Sequence, residues 1–589
     1  MAALILVAYA LDALGLAIDP GAVLLVSLAL LGGGFGVAWT RRGLVEVSAP
    51  VWATAGWLVV VVGVCGYFLW LARPDFLPVT ANGDTVHHVS LIDYILRTRG
   101  LVHAPGMDRY LGEMTVYPAG SHILAALVAG WLNLASGLWV MQPLLAVLIA
   151  LKAGFVYLIT LRLLPPGRRE PSMGLAAVAA LLVMHGYFVA SVTAWYFFSM
   201  VVAETLAIAA LWALVDWYQQ PRPAPLAFFS LCCAVTLLTW PTWLPILLIT
   251  AVALVVSRTD LTLSRRGVLL SWALLPFAVI AVLYFAVGYR GDQGVLTNEG
   301  SILKPTLAAY GWPLLALMVV GMLVNLRNRR TLPLWVFSGA TVVVLAGLWA
   351  LALNGRVAYY IAYKMLYLLQ YPIAIFVALA LGALWAWLGG VTPPALQRAW
   401  SPLSILIPVG LVALAVLQGL PQRPPSFISE PVYRAGLWAK ANLPNGCIDY
   451  VVDDWQKAYW LHVHVLGNPR GAPRADGIVL HMGQDRSGAS RWQKSPDLPY
   501  AIVDDWRSMP KEEAARLKVL YRAGPAAVVQ GDGTCNDTTI PIDRLPLPPR
   551  QPLFTLADAD SVLIVRPSYQ PAHRRARTSF GGVRDSAVR

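Results

Sequence analysis

Charge is scarce in this chain. Of its 589 residues only 13% are Asp, Glu, Lys or Arg, against 58% hydrophobic, and the mean hydropathy is +0.62. That balance excludes a soluble globular protein. The charge present is uneven, with 44 basic and 31 acidic residues, a formal net of +13. The excess does not point to nucleic acid. Much of it falls in short loops between apolar runs, at Arg41, Arg42, Arg162, Arg168, Arg169, Arg222, Arg258, Arg265, Arg266, Arg327, Arg329, Arg330 and Arg398. Basic short loops are the mark of a cytoplasmic face. Cysteine is scarce too, five residues in all. Cys65, Cys232 and Cys233 lie in apolar runs and read as packing residues. Cys447 and Cys535 lie in a more polar C-terminal region, where an oxidising external compartment makes them a plausible disulfide pair. Their spacing fits no zinc pattern, and neither a metal nor another cofactor is indicated. The N-terminal run has no basic segment and no clear cleavage site, so it reads as a retained helix rather than a signal peptide.

What the chain has is apolar runs of membrane-spanning length, recurring to about residue 420. Periodicity and loop charge predict thirteen transmembrane helices, near 2–18, 20–40, 51–72, 138–161, 172–192, 195–217, 225–240, 242–257, 267–289, 306–325, 332–353, 363–389 and 402–420. With the N-terminus inside, an odd count puts the C-terminus outside and every Arg-rich short loop inside. Residues 73–137 become the first large external loop. Ile123–Leu134 is apolar, but counting it as a span would invert the charge pattern downstream, so 119–134 reads as an interfacial helix. Residues 1–420 then form a transmembrane module and 421–566 a small external α/β domain. The basic tail 567–589 reads as disordered. V-D-D-W occurs twice, at Val452–Trp455 and Val503–Trp506.

The external loop concentrates the chemistry. Gly83 allows a tight turn, and Asp84 opens an amphipathic segment, roughly Thr85–Arg97, with Val86, Val89, Ile92 and Leu96 on its apolar positions. Asp84 suits a helix N-cap and equally a general base, and one carboxylate can do both. A carboxylate here suggests chemistry at the membrane surface, between a lipid-linked donor and a water-exposed acceptor. His87 and His88 are adjacent and point about 100° apart on a helix, so they do not share a metal. With Asp93, Glu113, Tyr117 and His122 they can line a sugar site or meet headgroups. Trp240 and Trp243 flank a Pro-Thr step between two short helices, which can hold an isoprenoid or sugar or serve as an aromatic belt. Lys364 lies at the external end of a span, with Arg356 eight residues before it and Lys304 in another external loop. Together they can bind a lipid phosphate; the alternative is that Lys364 snorkels to the headgroups. Lys152 and Glu204 lie deeper in spans, where a lone charge is costly, and are expected to pair with each other.

Together these features resemble the GT-C superfamily of polyprenyl-phosphate-sugar-dependent glycosyltransferases. Within it the chain looks most like the arabinofuranosyltransferases of the actinobacterial cell wall, of the galactan-priming type. The matching residues are Asp84 with the helix after it, the Y-P-A-G stretch Tyr117–Gly120, the step Thr242-Trp243, and Lys364 followed by Leu369-Gln370-Tyr371-Pro372. The family has Arg where Lys364 stands and a second Pro where Ala119 stands. The resemblance implies a GT-C-like, all-α polytopic membrane fold with a small extracytoplasmic α/β domain. It also implies an acidic catalytic residue and a polyprenyl-phosphate donor, with decaprenyl-phospho-arabinofuranose the leading candidate. The expected activity is inverting sugar transfer to a cell-envelope glycan or glycoconjugate on the external face of a bacterial inner membrane. Asp84 would be the general base, and Lys364, with Arg356 or Lys304, would hold the leaving phosphate. A lipid-linked sugar flippase and an inactive assembly scaffold are the alternatives. The large first loop, the outer domain and the lack of an internal repeat among the helices argue against the flippase.

Overall fold

The computed structural model describes residues 1–40, 51–79, 84–165, 170–286, 306–391, 403–420, 426, 428–470, 491–537, 539–547, 549–550, 552, 554–556 and 563–565. Each of the thirteen apolar segments contains a helix, but the lengths differ. Among the described residues six helices are long and apolar enough to cross a membrane: Val51–Leu71, Leu138–Leu163, Phe198–Gln219, Leu263–Ala286, Arg329–Leu353 and Tyr359–Gly390. Others are short, such as Ala2–Ala13, Pro171–Val183, Trp312–Val324 and Leu406–Leu417. At a rise of 1.5 Å per residue these cover only about 18–20 Å of a hydrocarbon core of about 30 Å. By length and composition the expected count of thirteen transmembrane helices is not borne out, six of the described helices meeting that test. The stretch 172–192 shows the cause. Its helix stops at Val183, a turn passes through His185 and Gly186, and a separate short helix, Ala190–Thr193, follows. Apolar composition runs unbroken through that turn, so hydropathy reads two pieces as one.

Helix Gly120–Trp131 has 12 residues, about 18 Å by the same rise. It is too short to span the core. Its Ile123, Ala125, Leu127 and Ala129 are buried, and Trp131 at its end donates to the Pro20 carbonyl. Deep in the bundle Lys152 and Glu204 are both fully buried and their charges lie 2.5 Å apart. The Tyr371 hydroxyl donates to the same Glu204 oxygen at 2.8 Å.

The C-terminal region carries a four-stranded sheet. β1 (Ile448–Val451) pairs parallel with β2 (Tyr500–Val503). β3 (Lys518–Ala523) and β4 (Ala526–Gln530) form an antiparallel hairpin, and the order is β1-β2-β4-β3. Val451 stands beside Val503 in the register, so the two V-D-D-W strings leave adjacent strand ends together. The Asp504 carboxylate accepts from the backbone N–H of Asp453. A second pair, β5 (Phe554–Leu556) and β6 (Leu563–Val565), is antiparallel. Lys511–Ala523, which reads as helical by sequence, is a short helix Lys511–Ala515 followed by β3. Gly524, at φ 59°, turns that strand back into β4, and cross-strand pairing overrides the local helical pattern. Ile478–His481, whose short apolar run reads as a strand by sequence, and the tail 567–589 lie outside the described residues. Cys447 and Cys535 are joined as a disulfide. Helix Glu430–Asn442 packs on the sheet, and the π-helical turn Trp460–Val465 packs against helix Asp84–Thr98.

Candidate active site

Helix Asp84–Thr98 sets the first carboxylate. Its buried Val86, Val89, Ile92 and Ile95 recur at helical spacing, which docks one face and leaves Asp84 exposed in the first turn. Asp84 at the start and Arg97 at the end both suit the helix dipole. Gly83, expected to make the turn before it, lies outside the described residues.

Lys364, 3% exposed, lies on the helix Tyr359–Val391. Its Nζ lies 4.2 Å from the ring centroid of Tyr360, 4.3 Å from Trp240 and 4.4 Å from Phe197. The charge of Asp84 acts on this ammonium. Among the described residues no hydrogen bond or ion pair occupies its three N–H donors. An aromatic cage steadies a cation through the ring faces and leaves its donors for an incoming acceptor.

Two local features bring Trp240 to that position. Pro241 breaks the chain between helices Pro223–Leu237 and Leu244–Ser257, and a 3-10 turn, Pro241–Trp243, reverses it. Gly120 then allows close approach, because its N–H donates to the Leu238 carbonyl at 2.7 Å. A Cβ there would stand 2.7 Å from that oxygen and 2.6 Å from the Thr239 hydroxyl. The Y-P-A-G stretch is therefore a docking step, and its helix begins at Gly120 rather than at Pro118. Tyr117 is thereby set 6.2 Å from the Trp240 ring. Burial raises the Tyr117 phenol well above its ordinary range, and Asp84 and Glu113 nearby raise it further.

His88 and His122 stack at 5.1 Å, with Nδ1 of the first 2.8 Å from Nε2 of the second. Phe198 and Tyr117 enclose both rings. Burial lowers His88 to about 3, with the His87 and Lys364 charges adding to it, and burial also carries His122 well below its ordinary value. The pair is neutral at physiological pH. His87 points elsewhere, as expected for adjacent helix positions. Its Nδ1 lies 2.5 Å from Glu113 and its Nε2 lies 2.8 Å from the Tyr459 hydroxyl. Arg470 closes this group, giving 2.7 Å to Glu113, 2.8 Å to Tyr459, and a contact with the His87 ring. Burial alone would raise the Glu113 carboxyl, but His87 and Arg470 outweigh it and hold it far below the usual range.

The structure thus gathers Asp84, Lys364, Trp240, Tyr117, His88 and His122, and sets His87 beside them. It does not gather the rest. Asp93 is a structural anchor: its carboxylate accepts from Gly137 N–H at 2.6 Å and from Ser136 at 2.8 Å. Nine residues along the helix put it about 13 Å from Asp84, away from the group gathered there. Trp243 is fully buried and is not among the three rings that hold the Lys364 ammonium. The Arg356 side chain is exposed and makes no described contact there either. Lys304 lies outside the described residues. Phe197, Tyr360, Tyr459 and Arg470 are site residues that sequence reasoning missed. Phe197 sits in the aromatic run Trp195–Phe198, which hydropathy assigns wholly to a span.

No family model matches the chain. A search of the curated proteins likewise returns no match. Two solved structures show a distant likeness. ArnT from Cupriavidus metallidurans bound to undecaprenyl phosphate is 13% identical, with a TM-score of 0.43 over 81% of this chain and 98% of that one. The apo oligosaccharyltransferase of Archaeoglobus fulgidus is 13% identical, with a TM-score of 0.46 over 76% of this chain and 69% of that one. At these values neither likeness assigns a residue, a ligand or an activity to the chain.

Proposed function

We propose that the chain is a membrane glycosyltransferase of the GT-C type that uses a polyprenyl-phosphate sugar. The observation that carries this is Lys364, a buried ammonium held by three aromatic rings, on which the charge of Asp84 acts from an exposed helix start. A cation with open donors and apolar walls suits a phosphate that carries a lipid chain. An exposed carboxylate beside it suits a hydroxyl arriving from water.

In this reading Asp84 accepts the proton of the acceptor hydroxyl as that oxygen bonds to the anomeric carbon. The bond from that carbon to the phosphate oxygen breaks on the opposite side, so the configuration inverts. The electron pair leaves with the polyprenyl phosphate, whose charge Lys364 stabilises. A phosphate leaves without full protonation, so one carboxylate suffices where glycoside hydrolysis needs two. Neutral His88 and His122, with Tyr117, form a polar wall free of competing positive charge. The sugar is proposed as arabinofuranose and the acceptor as a cell-envelope glycan, with the site on the periplasmic face of the inner membrane; this finer reading rests on the motifs at Asp84, Tyr117–Gly120, Thr242-Trp243 and Lys364–Pro372.

Purified protein in membranes, given radiolabelled polyprenyl-phospho-arabinofuranose and an envelope glycan extract, is expected to move label into the glycan. Translocation of the lipid without transfer would overturn the proposal.

A further inference from the structure

We infer that Arg470, from the C-terminal region, positions the helix that carries Asp84, so that the outer region is part of the active site; this rests on the transfer reading above. Arg470 lies 357 residues from Glu113 in sequence, yet its Nη1 donates to Glu113 at 2.7 Å and to the Leu111 carbonyl at 3.2 Å. Its Nε donates to the Tyr459 hydroxyl at 2.8 Å, and its own N–H donates to the Arg109 carbonyl at 2.7 Å. Glu113 in turn holds His87, three residues after Asp84 and on the same side of the first helical turn.

The loop is shaped for this side chain. Gly112 has φ 54°, and a Cβ on it would lie 1.5 Å from Arg470 Nη1. Any other residue would both strain the backbone and expel the guanidinium. The planar fork reaches carboxylate, hydroxyl and carbonyl at once, which a lysine cannot do. Glu113 stays ionised because its pKa is held low, so the clasp keeps its charge. Arg470 itself is engaged on every side, so it is a positioning residue rather than a catalytic one.

The test uses full-length protein, single-turnover transfer, polyprenyl-phosphate binding, and hydrogen exchange over residues 84–98. R470Q and E113Q are each expected to slow transfer about 10–100-fold, the cost of misplacing a catalytic group by about 1 Å. Binding of polyprenyl phosphate stays at the wild-type value, and exchange near Asp84 quickens. The double variant is no slower than the worse single one, because both cut the same clasp. Y110F removes a different bond between the same two regions, from Tyr110 to the Ile540 carbonyl, and is expected to behave as wild type. R470K keeps one charged contact and should fall between R470Q and wild type. Multiplying effects in the double variant, or R470K with wild-type rate and exchange, would overturn the clasp. A wild-type protein that transfers nothing would overturn the glycosyltransferase reading alone, and exchange in R470Q would still decide the clasp.

Discussion

Among the described residues two lysines are buried in the helices, and they are kept in different ways. Lys152 is fully buried, 2.5 Å from Glu204, with the rings of Phe188 and Tyr371 beside it. Lys364 is nearly as buried but has three aromatic faces and no carboxylate bonded to it among the described residues. The first is a finished ion pair, with its charge answered inside the protein. The second is a cation met by ring faces, with the charges of Asp84 and Glu204 acting on it from a distance rather than through a bond. Removing one half of the first leaves a lone buried charge. Removing the second leaves an apolar pocket. The difference separates a charge that holds the bundle from one that awaits a ligand.

The comparison breaks most sharply at the carboxylates. Asp84→Asn keeps shape and capping ability but cannot take a proton at neutral pH. Transfer is expected to fall about 10²–10⁴-fold in single-turnover kinetics, with thermal stability almost unchanged. Equal rates for Asp84→Asn and wild type would reduce Asp84 to a helix cap. Lys152→Met tests the other half: it strands Glu204 and is expected to cost about 3–5 kcal/mol of stability, read by thermal unfolding in detergent. Lys364→Met should show no loss of that size; an equal loss would make the two lysines alike.

Acid sharpens the contrast. His88 sits beside Lys364 with its pKa lowered to about 3, below an unfolded value of about 6.5. Its stabilising effect is full above pH 6.5 and is lost as pH falls from there toward 3. Stability is expected to drop on acidification from pH 6.5 to 4 by up to about 1.4 kcal/mol per pH unit for this group. His88→Gln should flatten that slope in a series of thermal melts; an unchanged slope would show that His88 takes no part in it. The smallest effect belongs to the cage. Trp240→Leu removes one of three faces and is expected to weaken the hold on the ammonium by about 0.5–2 kcal/mol. The reading is a modest rise in the dissociation constant for polyprenyl phosphate, with stability little moved. A loss as large as that of Lys152→Met would place Trp240 in the frame of the fold.

Part of this was legible in the chain. Asp84 stood out because a carboxylate before an i, i+3 apolar pattern marks a helix start. Lys364 stood out because a charge at the end of an oily run needs a reason. Lys152 and Glu204 were matched by the cost of leaving either alone. The cage was not legible. Phe197 and Trp240 come from separate breaks between helices, and hydropathy reads aromatic residues in an apolar run as lipid-facing mass. Arg470 carried no local signal, since the partners it meets in the first loop, Leu111 and Glu113, are more than 350 residues away. Only the left-handed Gly112 hinted that something enters the loop, and a single glycine in sequence cannot say what. Helix boundaries were lost for a related reason: composition runs through turns such as His185-Gly186 without a break.

The central claim is that Lys364 awaits a phosphate. Equilibrium binding of a short-chain polyprenyl phosphate and of the matching polyprenol, to wild-type protein and to Lys364→Met, tests it most directly. A charge-assisted contact of about 1.5–3 kcal/mol predicts that wild type prefers the phosphate by about 10–100-fold and that Lys364→Met loses the preference. Equal binding of the two lipids by wild type, or a preference that survives in Lys364→Met, would contradict the account.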